Sequence, residues 1–399
     1  MRTLFLHNRY QLAGGEDTVL RAEMALLKSR GVEVCLVEGD NDAIRGIGSR
    51  LKAALGSFYS SDSRRRVEQA LRAFRPDVVH AHNLFPVLSP SVLYACADAC
   101  VPVVQTLHNY RLLCPNGLLF RDGSACEDCV GSPLAWRGVV HGCYRGSRAG
   151  TLAVASVTAA HRALGTYERK ISQYIALSEF SRTKFVQSGL PAGRIVVKPN
   201  FLDSDPGPGD GEGGYVLFVG RLSQEKGVDA MLRAWRKLGA GFPLKVIGTG
   251  PLAAETAAAS SASPNIEYLG AKSPEEVSDY MGRAMALVLP SECYENFPRT
   301  IVESFAKGTP VIASRLGSMQ ELVEHGRTGL HFTSSSPDAL IEQIEWMLAH
   351  ASEWQRMRHE TRAEFENKYT AERNYSMLME IYERAILESA EAFPAGKAK

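Results

Sequence analysis

Two acidic residues, Glu295 and Glu303, follow an E-x7-E spacing in the stretch PSECYENFPRTIVESFAKGTPVIAS. Glu295 lies in a polar turn after a short apolar run, residues 285–289, which is typical of a buried strand. Glu303 lies in a predicted helix, residues 300–307, whose start is indicated by Pro298. In an open parallel sheet, the start of a helix that follows a strand binds anionic ligands. The stretch therefore predicts a site for an anion that is flanked by two carboxylates.

Two cations lie in another predicted strand-to-helix loop. Arg221 and Lys226 follow the apolar run of residues 215–219. An arginine can hold phosphate oxygens in a planar fork, and a lysine supplies a compact charge. The pair suits a diphosphate, although basic loop residues are also common on ordinary protein surfaces.

The N-terminal half has its own candidate groups at predicted strand ends. Gly14 and Gly15 follow the first strand, and a glycine pair lets backbone approach a phosphate closely, or simply makes a turn. His108 follows the strand of residues 101–106, and His80 and His82 end the preceding strand. Because strand carboxyl ends carry the ligand edge of such sheets, we expect His108 in the site ahead of the other two histidines.

Four cysteines fall within thirty residues in a C-x11-C-x2-C-x13-C pattern. Two thiolates spaced C-x2-C can occupy adjacent corners of a tetrahedron, and two flanking cysteines can complete it. The pattern favours a closed, structural Zn²⁺ site over an iron–sulfur cluster, buried thiols or a redox pair. The predicted metal ligands are Cys114, Cys126, Cys129 and Cys143.

Length and composition indicate a globular protein of two domains. The chain has 399 residues, 45% of them hydrophobic and 22% charged. Its formal net charge of +1 gives no reason to expect nucleic acid as a partner. The first residues, MRTLFLHNRY, are too short an apolar run for a signal peptide or a membrane span, which predicts a cytoplasmic protein. Residues 44–58 alternate apolar and basic groups at helical spacing, so they predict either a packed helix or a membrane-surface contact.

Strand and helix patterns alternate in both halves, which predicts two doubly wound parallel sheets. We expect an N-terminal domain at residues 1–202 with a cysteine insert at about residues 110–146. A Gly- and Pro-rich linker, residues 203–214, precedes a second domain at residues 215–370 and a final helix at residues 371–390. Residues 153–169 are predicted as one helix, and residues 325–332 as a turn.

These residues resemble the retaining glycosyltransferases of family 4, which have the GT-B fold. The resemblance covers nearly the whole chain and rests on the E-x7-E pair, the Arg221 and Lys226 loop, the Gly14-Gly15 loop and the segment QTLH that ends at His108. The run LHNYRLLCPNGLLFRDGSACEDC is similar to a subgroup that assembles surface polysaccharides. The GT-B fold implies two Rossmann-like domains that face each other across a cleft, with a C-terminal helix that returns to the first domain.

The resemblance also implies the role of each residue. Glu295 lies beneath the donor sugar, His108 contacts that sugar from the other domain, and Glu303 binds the ribose. The other implied donor-binding residues are Gly14, Gly15, Arg221, Lys226, Asn296, Phe297, Pro298, Arg299 and Thr300. Many relatives have glycine where this chain has Asn296 and Pro298, and proline has no amide to offer a phosphate.

The resemblance implies a hexosyltransferase that needs no cofactor for catalysis. It would move a sugar from a nucleoside-diphosphate sugar to a glycan or polyprenyl-linked acceptor, in the cytoplasm or at the inner face of the membrane. A nucleotide-sugar 2-epimerase of the same fold and a non-catalytic binding scaffold are the alternatives. The nucleobase, the sugar, the acceptor, the linkage and the oligomeric state do not follow from the sequence.

Overall fold

A computed structural model of the chain describes residues 1–9, 14–40, 56–239 and 241–392. The chain forms two compact units, which we call the N-terminal and C-terminal units. The N-terminal unit contains Met1–Gly117, Glu127–Pro199 and Ala371–Lys399, and the C-terminal unit contains Leu118–Cys126 and Asn200–Thr370. Within the described ranges, no helix is both long enough and apolar enough to span a membrane.

The described strands and helices alternate along most of the chain. The strands are β1 (Arg2–Arg9), β2 (Glu33–Asp40), β3 (Val78–Asn83), β4 (Val103–Thr106), β5 (Phe120–Arg121), β6 (Ser124–Ala125), β7 (Gln173–Ala176), β8 (Ile195–Val197), β9 (Val216–Val219), β10 (Leu244–Ile247), β11 (Ile266–Gly270), β12 (Ala286–Leu289), β13 (Val311–Ser314) and β14 (Gly329–Phe332). The α-helices are α1 (Gly15–Ser29), α2 (Ser61–Phe74), α3 (Ser91–Asp98), α4 (Trp136–His141), α5 (Arg148–Ala163), α6 (Thr166–Arg169), α7 (Glu179–Gln187), α8 (Val228–Leu238), α9 (Ala253–Ala262), α10 (Pro274–Arg283), α11 (Arg299–Ala306), α12 (Ser318–Leu322), α13 (Pro337–Ala349), α14 (Ala351–Lys368) and α15 (Ala371–Ala392).

The N-terminal unit is built on a six-stranded sheet in the order β2-β1-β3-β4-β7-β8. Every pair of neighbouring strands is parallel. Leu4, Phe5 and Leu6 of β1 are completely buried, as expected for a parallel strand covered on both faces. The order of the strands reverses between β1 and β3, and ligands bind at such a switch point in open α/β sheets.

The C-terminal helix α15 belongs to the N-terminal unit, as the GT-B resemblance predicted. Its Tyr382 is fully buried, and the hydroxyl group lies 2.7 Å from Nδ1 of His80 on β3. This buried hydrogen bond joins the end of the chain to the first sheet.

The C-terminal unit is built on a second six-stranded parallel sheet, in the order β11-β10-β9-β12-β13-β14. The chain order reverses between β9 and β12, so the loops that follow these two strands lie at the switch point. Trp235 of α8 is fully buried in the core beneath the sheet, and its ring nitrogen donates to the carbonyl of Phe242. The predicted pair of doubly wound parallel sheets is confirmed.

Two local predictions are wrong. Residues 325–332 were predicted as a turn, but Gly329–Phe332 forms the edge strand β14 beside β13. Residues 153–169 were predicted as one helix, but α5 ends at Ala163 and α6 starts at Thr166, because Gly165 between them has a left-handed conformation.

Two glycines of residues 203–214, Gly209 and Gly213, serve close backbone packing within the C-terminal unit. The amide of Gly209 donates to the carbonyl of Lys307, and the amide of Gly213 donates to that of Arg283. A Cβ atom on Gly209 would lie 2.1 Å from the carbonyl oxygen of Gly282, closer than any side chain permits. The predicted membrane-surface stretch, residues 44–58, falls mostly outside the described residues.

Candidate functional site

The loops after β9 and β12 pack directly on one another at the switch point of the C-terminal sheet. Gly227 has φ +67°, and a Cβ atom there would lie 1.9 Å from the carbonyl oxygen of Pro290. In addition, the amide of Glu292 donates to the carbonyl of Glu225 at 2.9 Å. Because only glycine allows this approach, Gly227 fixes the loop that carries Lys226 against the loop that carries Glu295.

Lys226 and Glu295 form an ion pair in this place. Nζ of Lys226 donates to Oε1 of Glu295 at 2.6 Å, and the hydroxyl group of Ser291 donates to the same oxygen at 2.6 Å. The hydroxyl group of Ser318, at the start of α12, donates to the backbone carbonyl of Glu295 at 2.5 Å. Burial would lower the pKa of Lys226, but the Glu295 carboxylate outweighs this and raises it above the ordinary lysine value. Lys226 is therefore a firmly held cation.

The second acid of the pair, Glu303, lies on α11. Its carboxylate is 3.4 Å from the guanidinium group of Arg299, one turn earlier on the helix. Burial raises the pKa of Glu303, and the charge of Arg299 offsets part of this rise. A partly buried carboxylate of this kind suits a neutral hydrogen-bond donor such as a hydroxyl group.

The remaining C-terminal candidates surround the start of α11. Pro298 is the N-cap residue and Arg299 begins the helix, close to the predicted start. Phe297 is buried and its ring packs edge-on against Tyr369, whereas Asn296 and Thr300 are partly exposed. The amides of the first helical turn point out of the helix and can bind an anion. Arg221 is exposed in the loop between β9 and the short 3-10 turn Gln224–Lys226.

In the N-terminal unit, Gly14 is the N-cap of α1. Its amide donates to Oδ2 of Asp17 at 2.9 Å, and Oδ1 of the same carboxylate lies 2.9 Å from Nε2 of His7 on β1. Gly14 has an extended conformation, and a Cβ atom there would meet no atom of the described residues within 4 Å. The described part of the fold thus does not require glycine at this position. Glycine is a common N-cap residue, and Gly15 beside it is exposed at the start of α1.

His108 is hydrogen-bonded to a second histidine. Its Nε2 lies 2.8 Å from Nδ1 of His82, and the planes of the two rings differ by only 23°. Burial lowers the pKa of His108 well below the ordinary histidine value, and the neighbouring His82 lowers it further. His108 is therefore uncharged at neutral pH, and its ring lines a pocket together with Asn83 and Gln105.

A buried ion pair lies behind these histidines. Nζ of Lys198, which follows β8, donates to Oε1 of Glu23 on α1 at 2.7 Å, with each side chain 1% exposed. Burial would raise the pKa of Glu23, but Lys198 and then His82 outweigh it and hold the pKa well below the usual range.

Glu23, His80 and His82 offer metal-type ligand atoms within 4.8 Å of one another. However, both ring nitrogens of His80 have partners, the Tyr382 and Thr106 hydroxyl groups, at 2.7 and 2.8 Å. Lys198 also places a cation against the carboxylate. We therefore interpret this cluster as a hydrogen-bonded network and not as a metal site.

Comparison with known families agrees with these two units. Residues 14–200 match the family described as glycosyl transferase 4-like domain, and residues 204–364 match the family described as glycosyl transferases group 1. The chain belongs to the GT-B glycosyltransferases. The family resemblance predicted from the motifs is thereby confirmed at this level.

Curated relatives of this glycosyltransferase are matched over part of their length. An uncharacterized glycosyltransferase of Methanocaldococcus jannaschii is 32% identical over 48% of this chain and 54% of the relative. The lipopolysaccharide 1,2-N-acetylglucosaminetransferase of Salmonella typhimurium is 27% identical over 45% of this chain and 53% of the relative. The chain thus spans about half the length of the curated relatives it matches.

Solved structures share the fold of this glycosyltransferase. The crystal structure of Anabaena HepE in complex with UDP-glucose superposes with a TM-score of 0.65 and 19% sequence identity. The superposition covers 98% of this chain and 100% of HepE.

The four cysteines of the glycosyltransferase are divided between the units. Cys114, Cys129 and Cys143 belong to the N-terminal unit, and Cys126 belongs to the hairpin segment of the C-terminal unit. Cys114 and Cys129 are buried, whereas Cys126 and Cys143 are partly exposed. The zinc site stays a prediction.

Sequence reasoning did not identify several residues that support the candidate groups. Ser291 and Ser318 hold Glu295, and Glu23 and Lys198 lie behind His82. The serines are too common in loops to stand out, and a glutamate on a helix ordinarily faces solvent. The complete burial of Glu23 was the decisive signal, and it is visible only in the fold.

Proposed function

We propose that this chain transfers a sugar from a nucleoside-diphosphate sugar to a glycan acceptor and retains the configuration of the anomeric carbon. The observation that carries the proposal is the ion pair between Lys226 and Glu295 at the switch point of the C-terminal sheet. It combines a cation for phosphate with a carboxylate for the sugar, next to a helix start. The binding of UDP-glucose by HepE and the transferase names of the relatives support transfer over epimerisation or a scaffold role.

The cations would stabilise the leaving nucleoside diphosphate. When the donor binds, its phosphate would replace the Glu295 carboxylate as the partner of Lys226, while Arg221 and the first amides of α11 would bind the other phosphate oxygens. Negative charge develops on these oxygens as the bond to the sugar breaks, and preorganised cations and amides stabilise that charge. This set of donors can supply the stabilisation without a metal ion, so we propose metal-independent transfer.

Glu295 and Glu303 would have different roles in this reaction. Once released by Lys226, Glu295 would remain held by Ser291 and Ser318, with its carboxylate able to bind sugar hydroxyl groups and stabilise positive charge at the anomeric carbon. Glu303 would accept hydrogen bonds from the ribose, and Arg299 would keep its carboxylate ionised. His108 would bind a hydroxyl group of a sugar substrate.

The pocket beside His108 is the proposed acceptor site. Besides His82 and Asn83 it is lined by Phe85, Arg111 and Val157. The guanidinium group of Arg111 lies 4.9 Å from the centre of the Phe85 ring, over its face. Aromatic and planar cationic groups of this kind pack against sugar rings and bind their hydroxyl groups. We propose that the glycan of the acceptor binds here, as part of the assembly of a cell-surface polysaccharide.

An exposed surface of the N-terminal unit supports association with a membrane that carries a lipid-linked acceptor. Trp136 and Val140, one turn apart on α4, are 56% and 51% exposed. Arg148 at the start of α5 donates to the carbonyl of Val140 at 3.0 Å, and Leu152 is exposed one turn later. No acidic residue occurs between Cys129 and Tyr167. We call Trp136, Val140, Arg148 and Leu152 the α4–α5 surface.

The composition of the α4–α5 surface suits an anionic bilayer. Tryptophan and aliphatic side chains enter the interfacial region, and arginines contact the phosphate groups of lipids. The inner helix face that carries Val154 and Val157 lines the proposed acceptor pocket, so α5 connects this pocket with the surface. We therefore propose that the protein acts at the inner face of the membrane.

A donor-binding screen tests the proposed function at its first step. The protein is incubated with UDP-glucose, GDP-mannose and ADP-glucose, and the melting temperature is measured. We expect one nucleotide class to raise it, because a ligand that binds the folded state stabilises that state. The Arg221→Ala variant should lose this response, whereas Arg236→Ala, an exposed arginine on α8, should keep it. No response to any nucleoside-diphosphate sugar would contradict the proposal.

A further inference from the structure

His108 is connected to a buried carboxylate through His82. Nε2 of His108 lies 2.8 Å from Nδ1 of His82, and Nε2 of His82 lies 3.3 Å from Oε2 of Glu23. His82 Nε2 and Glu23 Oε2 are both buried, and within the described residues neither atom makes a hydrogen bond of regular geometry. Their 3.3 Å approach is therefore an electrostatic contact between an imidazole nitrogen and a carboxylate oxygen.

The direction of the hydrogen bonds follows from the charge of Glu23. Lys198 donates to Oε1 of this carboxylate at 2.7 Å, so the buried pair has no net charge. An ionised carboxylate can only accept hydrogen bonds. A proton on Nε2 of His82 is favoured, because a lone pair there would be repelled by the carboxylate oxygen 3.3 Å away. A second proton on His82 would add an uncompensated charge to a cluster that is almost completely buried.

A singly protonated His82 then determines the tautomer of His108. With its proton on Nε2, His82 has only a lone pair on Nδ1, so Nε2 of His108 must donate to it. The proton of the uncharged His108 is used in this bond. Nδ1 of His108 is left with a lone pair, and the ring lines the pocket.

We propose that Glu23 and His82 are positioning residues that hold His108 in the Nε2–H tautomer, so that its Nδ1 accepts a hydrogen bond from a hydroxyl group of the substrate. The tautomer follows from the geometry of the N-terminal unit alone. The identity of the hydroxyl group as that of a sugar rests on the proposed function. His108 is thus an acceptor that selects hydroxyl groups, and it is not an acid that donates a proton.

His80 provides a matched control for this network. Its ring centre is 4.4 Å from that of His82, and it is completely buried like its neighbour. Both of its nitrogens have hydroxyl partners, and neither bonds to His108. Replacement of His80 should therefore reduce stability and leave the tautomer of His108 unchanged.

Nitrogen NMR of the full-length protein labelled with ¹⁵N-histidine tests the inference directly. The signals of His108 are assigned as those lost in His108→Gln, and their shifts report which nitrogen carries the proton. At neutral pH we expect a protonated Nε2 and an unprotonated Nδ1 in the wild type. The opposite tautomer, a doubly protonated ring or a mixture of tautomers would overturn the proposal.

Variants of His82 test whether this residue determines the tautomer. His82→Leu removes the acceptor and should give a mixture of tautomers, whereas His82→Asn offers an amide oxygen near the position of Nδ1 and should restore the wild-type shifts. His80→Gln should keep them as well. Unchanged shifts in His82→Leu would overturn the positioning role. Because the spectra need no substrate, failure of sugar transfer with normal shifts would refute the proposed function and leave this inference intact.

Discussion

Nζ of Lys226 lies 2.6 Å from Oε1 of Glu295, although the two residues are 69 positions apart in the chain. The ion pair joins the loops after two neighbouring parallel strands, at the point where the strand order of the C-terminal sheet reverses. In this structure the Glu295 carboxylate is the partner of Lys226, the cation that we propose binds a phosphate group of the donor. A donor must therefore compete with Glu295 for Lys226 before the carboxylate can act on the sugar.

Glu295→Gln should separate donor binding from turnover. Loss of the carboxylate removes the stabilisation of the transferred sugar, and we expect kcat to fall on the order of 10²- to 10³-fold. Lys226 loses its competing partner at the same time. A partly exposed ion pair contributes about 0.2–1 kcal/mol, so donor affinity should stay equal or rise by less than about fivefold.

Titration calorimetry with the donor and steady-state kinetics measure these two effects. Glu292→Gln is the matched control, because Glu292 lies in the same loop and its side chain does not contact Lys226 in the described structure. Unchanged turnover in Glu295→Gln would contradict our assignment. Complete loss of donor binding would also contradict it, because Lys226 and Arg221 would then fail to hold the diphosphate without the carboxylate.

Gly227→Ala should disrupt the contact between the two loops. The new Cβ atom would lie 1.9 Å from the Pro290 carbonyl oxygen at a residue with φ +67°. We expect a loss of more than about 1 kcal/mol in the free energy of unfolding, and weaker donor binding because Lys226 is displaced. Gly165→Ala is the control, because Gly165 has nearly the same left-handed conformation, φ +66° and ψ +21°. The nearest atoms to a Cβ atom there belong to the flexible side chain of Arg169.

Thermal and denaturant unfolding of both variants measure the difference. If Gly165→Ala and Gly227→Ala lost the same stability, the cost would come from the backbone conformation alone. The packing between the loops would then contribute nothing measurable.

The purified protein should contain about one equivalent of zinc, because a closed four-cysteine site binds the metal tightly when folded. The double variant Cys126→Ser and Cys129→Ser should lose the metal and unfold at a lower temperature. Cys100→Ser, at an exposed cysteine outside the pattern, should keep both properties. Metal analysis and thermal unfolding give the answer, and folded, fully stable wild-type protein without metal would refute the site.

The α4–α5 surface should bind vesicles that contain anionic phospholipid, and added salt should weaken the binding. The double variant Trp136→Ser and Val140→Ser removes two apolar groups, each worth about 1.5–3 kcal/mol when fully buried, and should bind at least roughly tenfold more weakly. Leu387→Ser is the control, because Leu387 is also exposed, at 65%, but lies on α15.

Flotation of the protein with vesicles measures this binding. Equal binding of the double variant and the wild type would place the membrane contact elsewhere in the chain. Equal binding to neutral and anionic vesicles would show that Arg148 of the α4–α5 surface has no role in lipid binding. Binding to nucleic acid instead of vesicles would refute the assignment of the surface to lipid.

The sequence was sufficient to predict both sheets, because buried parallel strands appear as short apolar runs separated by helical patterns. It also predicted the loops that carry Lys226 and Glu295, since strand ends at a switch point must hold the ligand groups. It could not predict that these two side chains pair, because the pairing depends on the close packing of Gly227 on Pro290. The strand β14 was missed because its four residues follow turn-forming residues and the run is too short to show a period.

The network behind His108 shows a different limit. His82 was recognised as a polar residue at a strand end, but its partner Glu23 lies on α1 and resembles a solvent-facing helix residue in the sequence. Lys198 follows β8, which is the edge strand of the N-terminal sheet opposite β2. Only the three-dimensional packing buries these two opposite charges together, and residue types alone do not encode which buried charges will meet.

Analysis of the reaction product tests the central claim most directly. The protein is incubated with the nucleotide sugar that stabilises it and with a lipid-linked glycan fraction, and the linkage of the product is determined by NMR. We predict a new glycoside whose anomeric configuration equals that of the donor, formed without added metal and formed on the order of 10²- to 10³-fold more slowly by Glu295→Gln. A product of inverted configuration, or conversion of the donor to an epimer or to free sugar without transfer, would contradict the account.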